Sequence, residues 1–483
     1  MIDMSKHARH GIALLATLLA STCGAWDYYP HDPLHVDGRI STSPAKDMLA
    51  DRPCALGPIA GTLDLAAAAE RALCANPKTR TAWANVKLQA AQLGSAEAAY
   101  LPTLNGQAIA ARDRATTKVP YIPLFDSDNR VRYRSQTVSL SWLLYDFGAR
   151  SAADEQARQL LDAAQASQDV ALQTVLMTVA KDYFTTIAAQ ATVDATGEIE
   201  HAAQGSLTAA TARVKGGVAP VTDQLQAQTA YAQAVYNNAK ARGELKTALG
   251  TLALDMGESP ATPLQLAAPA DTGKPGSATD ETITQLLQTA QHNHPSLVSA
   301  RAQLEAARAK AAQVRAQGLP TLTLQSHLSH NDQPVSPGIG SPDVPAIGRD
   351  RYIGVELDVP FFGGFGRTYQ IRQAEAQVDV QQATVADAEQ QVAQEVWRSY
   401  QALQTDVENV RNSETLLDSA RQSFAAAQHR YERGVGNILE LLNAQTALAN
   451  AQQQRVQAVT DWRIGKLELV ASVGRLTVAG EAQ

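Results

Sequence analysis

Few residues in this sequence have the types and the spacing that catalysis or metal binding requires. His327-x-x-His330, with Asp332 close behind, offers the imidazole and carboxylate groups that bind transition metals. These residues fall where a predicted strand runs into a polar loop, which is more typical of a solvated surface. Gly363-Gly364-Phe365-Gly366 lacks the Lys-Ser/Thr pair that completes a phosphate-binding loop. No Ser/His/Asp or Cys/His set stands out, so the sequence predicts no enzyme, no metal site and no cofactor.

The composition favours helices and argues against nucleic acid as a partner. The chain has 483 residues, with 41 Lys and Arg against 48 Asp and Glu, and a net charge of −7. A chain that binds nucleic acid is expected to be basic. Only 5% of the residues are aromatic, and alanine and glutamine dominate long stretches, which suits closely packed helices.

The N-terminus has the pattern of an export signal. Basic residues precede an apolar run over residues 12–20, and small residues follow it. The run is too short for a membrane-spanning helix, and no later segment reaches about 18 apolar residues. We therefore expect residues 1–25 to be a signal peptide. Two processing sites remain open: lipidation at Cys23, which ends a sequence resembling a lipobox, and cleavage after Ala25.

Two further cysteines, Cys54 and Cys74, remain after either cleavage. An even pair in an exported protein predicts a disulfide, because exported proteins fold in an oxidising compartment. This bond would tie an extended N-terminal arm to the first helix. The alternative is two buried free thiols.

Short motifs recur at a constant distance, which indicates an internal duplication. These pairs share a spacing of 218 or 217 residues: Asn76-Pro77 with His294-Pro295, Leu101–Leu104 with Leu319–Leu322, Phe147-Gly148 with Phe365-Gly366, and Gly217-Val218 with Gly434-Val435. The period is far too long for a solenoid repeat, so each copy holds several elements. The expected order is signal peptide 1–25, extended arm 26–61, first repeat 62–256, linker 257–279, second repeat 280–476 and C-terminal tail 477–483.

Each copy has a region in which the apolar period becomes that of a strand. Val138, Leu140, Trp142 and Leu144 alternate with mostly polar residues, and so do Ile353, Val355 and Leu357. We predict two strands of about 8–10 residues per copy, which is typical of outer-membrane strands. The strands are expected to be joined by loops at 113–134 and 331–350. The alternative is a soluble hairpin packed on one face.

Other residues of these regions fit a membrane sheet. Aromatic residues are expected near strand ends, as in an interfacial girdle: Tyr133, Trp142, Tyr145, Tyr352, Phe361 and Phe362. Glu356 and Asp358 share the polar face of the last strand. They are expected to line a lumen or to be solvated without further role.

Long helical patterns follow both strand regions. They cover residues 148–215 and 366–433, each about 100 Å at 1.5 Å per residue, and each ends at closely spaced glycines. Shorter helices are predicted over 222–256 and 438–473. Two antiparallel helices joined by a glycine turn form a coiled hairpin.

The strands and helices together predict a shared channel. Four strands cannot close a membrane barrel, and lipid does not tolerate an open sheet edge. Three chains would supply twelve strands, and their alanine-rich helices would pack as a tube. With these elements the chain resembles the TolC/OprM family of outer-membrane efflux factors over residues 62–476. The resemblance rests on the duplicated Leu-Pro-Thr-Leu, on Tyr145–Gly148 with Phe361–Gly364, and on the paired Gly-Val turns with the helices that follow them.

The resemblance implies a mainly α fold with a membrane β part. Long helical hairpins would form a periplasmic α-barrel, and each chain would give four strands to a trimeric twelve-stranded β-barrel. It also implies a homotrimer in the outer-membrane lipid of a Gram-negative cell, extending into the periplasm. The partners implied are a periplasmic adaptor protein and an inner-membrane transporter.

Members of that family close their periplasmic end with side chains just past the helix turns. The matching positions here are Thr222, Asp223, Tyr431, Glu440 and Asn443. An arginine that some members use in this gate would fall at Gly436, so that link is expected to be absent. Crowding of acidic groups around a threefold axis would select cations. The alternative for Asp223 and Glu440 is a carboxylate favoured at a helix N-terminus.

The turn glycines are the expected contacts of the adaptor: Gly216, Gly217, Gly434 and Gly436. They would also permit the positive φ of tight turns. Together these features predict a passive exit duct for small toxic compounds in a tripartite efflux system. The alternatives are an exit duct for type I protein secretion and a periplasmic coiled-coil scaffold without a channel.

Overall fold

The structure, a computed structural model, describes residues 31–45, 48, 54, 57, 59, 61–122, 126–267, 282–335 and 344–476. The predicted signal peptide, Cys23 and the C-terminal tail lie outside these residues. The helices and strands after a short 3-10 helix, Val36–Arg39, are α1 Leu65–Ala75, α2 Pro77–Ala98, β1 Thr103–Thr117, β2 Ser127–Tyr145, α3 Ala149–Lys215, α4 Val221–Asp255, α5 Ile283–Asn293, α6 Pro295–Ala316, β3 Thr321–Asn331, β4 Gly348–Asp358, α7 Gly366–Glu432 and α8 Ile438–Ser472.

The order of elements repeats, and the helices repeat in length. α3 and α7 each have 67 residues, and α4 and α8 each have 35. α1 and α5 each have 11 residues, and α2 and α6 each have 22. The predicted duplication and the predicted long helices are therefore confirmed. In the part of the chain that the structure describes, no helix has an apolar stretch long enough to cross a membrane.

The chain divides into two compact units. One comprises Met1–Ile40, Lys87–Arg158 and Ala306–Val378, and it contains the β-strands with the helix segments that flank them. The other comprises Ser41–Val86, Gln159–Glu305 and Asp379–Gln483, and it is mostly helical.

The strands form one antiparallel sheet in the order β1-β2-β3-β4. β1 has 15 residues and β2 has 19, whereas β3 and β4 have 11 each. The predicted 8–10-residue strands and the predicted loop over 113–134 are therefore wrong for the first repeat. The stretch is polar and contains proline, which predicts a loop, but residues within it such as Arg114 and Arg130 lie opposite each other in the ladder. Backbone hydrogen bonds, rather than buried side chains, extend this hairpin.

The sheet has one apolar and one largely polar face. The register puts Val138 opposite Leu328 and Trp142 opposite Leu324, and Leu324 opposite Val355, so these side chains share a face. Ile353, Val355 and Leu357 on this face are 75%, 58% and 63% exposed. Tyr133 and Tyr352 lie within their strands rather than at the ends, so the predicted girdle is wrong for these two residues.

The first apolar core packs α1 against α3 and α4 of the first repeat. Leu73 of α1, Leu176 of α3 and Leu252 of α4 are fully buried together, and burial of each contributes about 1.5–3 kcal/mol. The Tyr183 hydroxyl lies 3.2 Å from the Leu63 carbonyl oxygen and 3.1 Å from that of Ala267. A second core packs Leu297, Val396 and Leu469 in the second repeat. Each repeat thus has its own apolar cluster.

A disulfide joins Cys54 to Cys74, with their Cα atoms 5.5 Å apart. Cys74 belongs to α1, whose first turn is capped by the Asp64 carboxylate accepting from the Ala67 backbone N–H at 2.8 Å. The bond therefore fixes residue 54 of the N-terminal arm to the first helix.

Asp182 is an acidic side chain beside this first core. Burial raises the pKa of Asp182 to about 7, a hydrogen bond that its protonated carboxyl donates to the Asp255 carboxylate and the charge of Asp255 add to the rise, and Lys181 opposes it. The folded protein therefore holds this proton up to a higher pH than the unfolded chain does, because the ordinary value is 3.8.

We expect the Asp182 proton to make folding pH-dependent. The stabilisation is complete below about pH 4 and is lost as the pH rises through about 7. Asp182→Asn should therefore raise the thermal midpoint of the detergent-purified protein at pH 8 by about 2–4 °C. It should also flatten the decline between pH 5 and pH 8. Asp194→Asn, at an exposed position of the same helix, is the control, and an unchanged pH profile in Asp182→Asn would contradict this account.

Candidate functional site

The two helical hairpins end in turns with the same hydrogen bonds. Gly217 and Gly434 have φ values of +73° and +83°, which favours glycine. The Val218 N–H donates to the Arg213 carbonyl oxygen at 3.0 Å, and the Val435 N–H donates to that of Arg430, also at 3.0 Å. This pattern ends a helix at a left-handed residue. The duplication therefore extends to single hydrogen bonds at the tips.

Gly436 makes a close backbone approach in the second turn. A Cβ there would lie 3.0 Å from the Tyr431 nitrogen and 3.1 Å from the Arg430 carbonyl carbon. A side chain at this position would require the backbone of Arg430 and Tyr431 to move by a few tenths of an ångström. The expected lack of an arginine here thus has a local steric reason, and the arginines of the tips come from other positions.

Tyr431 is the centre of the second tip. Its side chain is 1% exposed and packs with Ala210, Ala227, Ile438 and Leu441. In the described residues its hydroxyl has no hydrogen-bond partner. Burial raises the pKa of Tyr431, Arg213 opposes the rise, and Asp223 adds to it. Tyr431 therefore keeps its proton and retains an unused donor within the electrostatic reach of Asp223.

Arg213 joins the tip of the first repeat to that of the second. Its guanidinium carbon lies 4.6 Å from the centroid of the Tyr431 ring, and its Nη1 donates to the Tyr431 carbonyl oxygen at 2.7 Å. A cation over an aromatic face contributes about 0.5–2 kcal/mol, more where water is excluded. The contact therefore couples α3 of one hairpin to α7 of the other.

Arg430, the counterpart of Arg213 at a spacing of 217, makes a different contact. Its Nη1 lies 3.6 Å from Glu440 Oε1 within the same repeat. Glu440 is in the first turn of α8, where its N–H donates to the side chain of the N-cap residue Asn437 at 2.8 Å. An acidic side chain in the first turn of a helix interacts favourably with the helix dipole. The two tips thus share a backbone but differ in charge contacts.

The structure brings some of the predicted gate residues together and leaves others apart. Tyr431 interacts electrostatically with Asp223, and Glu440 pairs with an arginine. Thr222 and Asn443 are exposed. Sequence reasoning missed Arg213 and Arg430. A pattern in the sequence could have identified them. In both repeats, the last turn of the long helix has an arginine four residues before a glycine with positive φ.

The weak metal pattern does not form a site. Neighbouring strands put His327 opposite Tyr352 and His330 opposite Arg349. The two histidines are three residues apart on one strand, so they point to opposite faces. His327 Nε2 instead lies 3.2 Å from Asp350 Oδ2. Among the residues that the structure describes, no group of three or more His, Cys, Asp or Glu side chains could hold a metal.

Comparison with known proteins agrees with this architecture. The model of the outer membrane efflux protein family matches residues 68–258 and 286–475. Protein CyaE of Bordetella pertussis is 33% identical over 415 residues, which cover 86% of this chain and 84% of that protein. The solvent efflux pump outer membrane protein SrpC of Pseudomonas putida is 27% identical over 84% of each chain.

Two further similarities bear on the fold and on function. The alkaline protease secretion protein AprF of Pseudomonas aeruginosa is 28% identical over 250 residues, which cover 50% of this chain and 49% of AprF. The solved structure of the outer membrane protein VceC of Vibrio cholerae superimposes with a TM-score of 0.71 at 20% identity, covering 85% of this chain and 96% of VceC. That structure shares the fold. The chain thus belongs to the outer membrane efflux protein family, whose members are outer-membrane channels of Gram-negative bacteria that extend into the periplasm.

Proposed function

We propose that this protein is a passive, homotrimeric exit duct for small toxic compounds in a tripartite efflux system. The observation that carries the proposal is the two-faced sheet, whose apolar side chains are exposed and are not covered by any residue that the structure describes. Lipid is the environment that such a face requires. The polar opposite face would then line a water-filled passage.

The sheet edges support three copies. β1 and β4 are the outer strands of the described sheet. Unpaired backbone groups in hydrocarbon cost several kcal/mol each, so membrane sheets close on themselves. Because closure needs about eight strands or more, four strands per chain require further chains. Three copies give the twelve strands of a shared barrel.

The tip contacts support a gate. In a trimer, each tip residue occurs three times around one axis. Carboxylates crowded there repel one another and attract cations. Arg430 offsets part of this charge at Glu440, and Arg213 holds Tyr431 in place. Asp223, Thr222 and Asn443 would complete the constriction. The glycine turns at 216–217 and 434–436 would contact the periplasmic adaptor, which would connect the duct to an inner-membrane transporter.

Export of a secreted protein is the second candidate. The similarity to a protein named for alkaline protease secretion favours it, whereas the similarity to a solvent efflux component favours small compounds. The similarity to the solvent efflux component covers 84% of this chain, whereas the similarity to the protease secretion protein covers 50%. Small compounds are therefore the first choice.

Native mass tests the shared barrel. Outer membranes extracted in mild detergent should contain a species near three chains that separates on boiling into single chains, each lighter than the 51.4 kDa of the full sequence by the predicted signal peptide. Closed barrels resist dissociation because their backbone hydrogen bonds leave no free edge. A soluble monomer or dimer would contradict the channel and leave the long helices as a scaffold.

Planar-bilayer conductance tests the gate. Asp223→Ala together with Glu440→Ala should raise conductance and reduce cation preference, because the acidic ring and the Arg430 ion pair are both lost. An exposed ion pair of about 0.5–1 kcal/mol corresponds to a shift of about two- to fivefold between closed and open populations. Arg213→Met should also raise conductance, because it removes the contact that holds Tyr431. Asp418→Ala, an exposed helix carboxylate, is the control. Unchanged conductance and selectivity would remove Asp223 and Glu440 from the gate.

Deletion of the gene separates the two candidate cargoes. An efflux duct should leave cells sensitive to organic solvents, dyes and drugs, while the pattern of secreted proteins stays the same. Complementation by the intact chain should restore resistance. Loss of a secreted protein with unchanged resistance would instead favour protein export.

A further inference from the structure

The charges of the sheet are sorted by face. The strand arginines are Arg112 and Arg114 of β1, Arg130, Arg132 and Arg134 of β2, and Arg349 and Arg351 of β4. The register puts Arg112 opposite Arg132 and Arg114 opposite Arg130. The register also places Gln136 of β2 opposite His330 of β3, and His330 opposite Arg349 of β4. Directly opposite residues share a face, so all these arginines lie on the apolar face.

The carboxylates of the strands lie mainly on the other face. Asp113 is next to Arg112 and therefore points to the opposite side, and Asp350, Glu356 and Asp358 also belong to the polar face. Asp128 is the exception within the strands, and just past β3 the Asp332 carboxylate accepts a hydrogen bond from the Arg134 backbone N–H. The Asp128 carboxylate binds the Arg114 guanidinium through two hydrogen bonds of 2.9 Å and lies 3.4 Å from Arg130. One carboxylate therefore serves two arginines.

The remaining arginines have no such partner. Within the described residues, no carboxylate oxygen lies within 4.0 Å of the guanidinium groups of Arg112, Arg132 or Arg134, and the same holds for Arg349 and Arg351. All five are exposed. Like charges directly opposite each other in a ladder destabilise it. The described part of the chain does not supply this counter-charge, and the arrangement suits an anion from outside it.

The arginines border the apolar band. Arg134 and Leu144 lie on the same strand, and ten residues at about 3.3 Å each span roughly 33 Å. A strand tilted by about 40° would cover about 25 Å of membrane thickness, which is the height of the apolar band of a barrel. The arginines therefore lie at the level of lipid headgroups. The helices α2 and α3 join the hairpin at its other end, beyond Thr103 and Tyr145.

We propose that this arginine belt binds the phosphate groups of the outer-leaflet lipid, which is lipid A in a Gram-negative outer membrane. This rests on the proposed function, because it needs the sheet in the membrane with its helices on the periplasmic side. Guanidinium groups bind phosphates through paired, charge-assisted hydrogen bonds. The phosphates supply the missing counter-charge, and the acyl chains cover the exposed side chains of Ile353 and Val355 below.

Lipid binding to the full-length protein tests the belt. Delipidated protein in nonionic detergent is titrated with bisphosphorylated lipid A and with the same lipid after dephosphorylation, and bound lipid is counted by native mass spectrometry. The wild type should bind the phosphorylated form about tenfold more tightly. Equal binding of the two lipids by the wild type would overturn the proposal without any variant.

Charge variants assign the binding to this face. Arg112→Gln, Arg132→Gln and Arg134→Gln combined should weaken binding of bisphosphorylated lipid A about tenfold, and the three Lys replacements should retain most of it. Asp113→Asn, on the opposite face beside Arg112, should change nothing. Unchanged affinity in the triple Gln variant, or an equal loss in Asp113→Asn, would overturn the proposal. If the triple variant fails to assemble, Arg132→Gln alone should still weaken binding about twofold.

Two further measurements separate the possible causes. Inorganic phosphate at the concentration of the lipid should not displace it, because the belt binds phosphate and acyl chains together. Displacement would indicate a simple anion site and overturn the lipid assignment. Mass and conductance of the same samples test the channel separately. A wild type that is not trimeric would contradict the proposed function, whereas a conducting trimer that ignores the lipid phosphates would contradict only this inference.

Discussion

Backbone hydrogen bonding at the sheet edges is the constraint on which the rest of this structure depends. A strand at the edge of a sheet carries unpaired N–H and C=O groups, and hydrocarbon offers them no partner. The described residues contain one sheet of the strands β1 to β4, with an apolar face that is exposed. A four-stranded sheet of this kind is incomplete by itself in lipid. The proposed trimer follows from this incompleteness, and the same threefold axis would bring the helical tips together.

The duplication gives two repeats with the same backbone, and the repeats differ in a few side-chain contacts. Helices of equal length and turns with equal hydrogen bonds show that the backbone has stayed the same. The side chains have not. Arg213 reaches Tyr431 in the other repeat, whereas its counterpart Arg430 pairs with Glu440 in its own. The first hairpin of strands is longer than the second. A symmetric scaffold thus carries asymmetric charge contacts at the tips and in the sheet.

In the sheet, at the tips and near the first core, the surroundings of a titratable group determine its position or its pKa. In the sheet, alternation of side chains along each strand puts the arginines on the apolar face and most carboxylates on the polar face. At the tips, Tyr431 is buried beside an arginine and within reach of a carboxylate. Near the first core, burial raises the pKa of Asp182 to about 7. Burial is the largest cause of the pKa shift for both Asp182 and Tyr431.

The sequence by itself determined the duplication, the long helices, the glycine turns and the two-faced strands, because these depend on local periodicity and on residues such as Gly217 and Gly434 that tolerate positive φ. It did not determine the length of β1 and β2, because their charged residues are paired through the backbone, which periodicity does not detect. It named Tyr431 and Asp223 but not Arg213. That contact joins residues 218 positions apart, and only the packing of one hairpin tip against the other decided it.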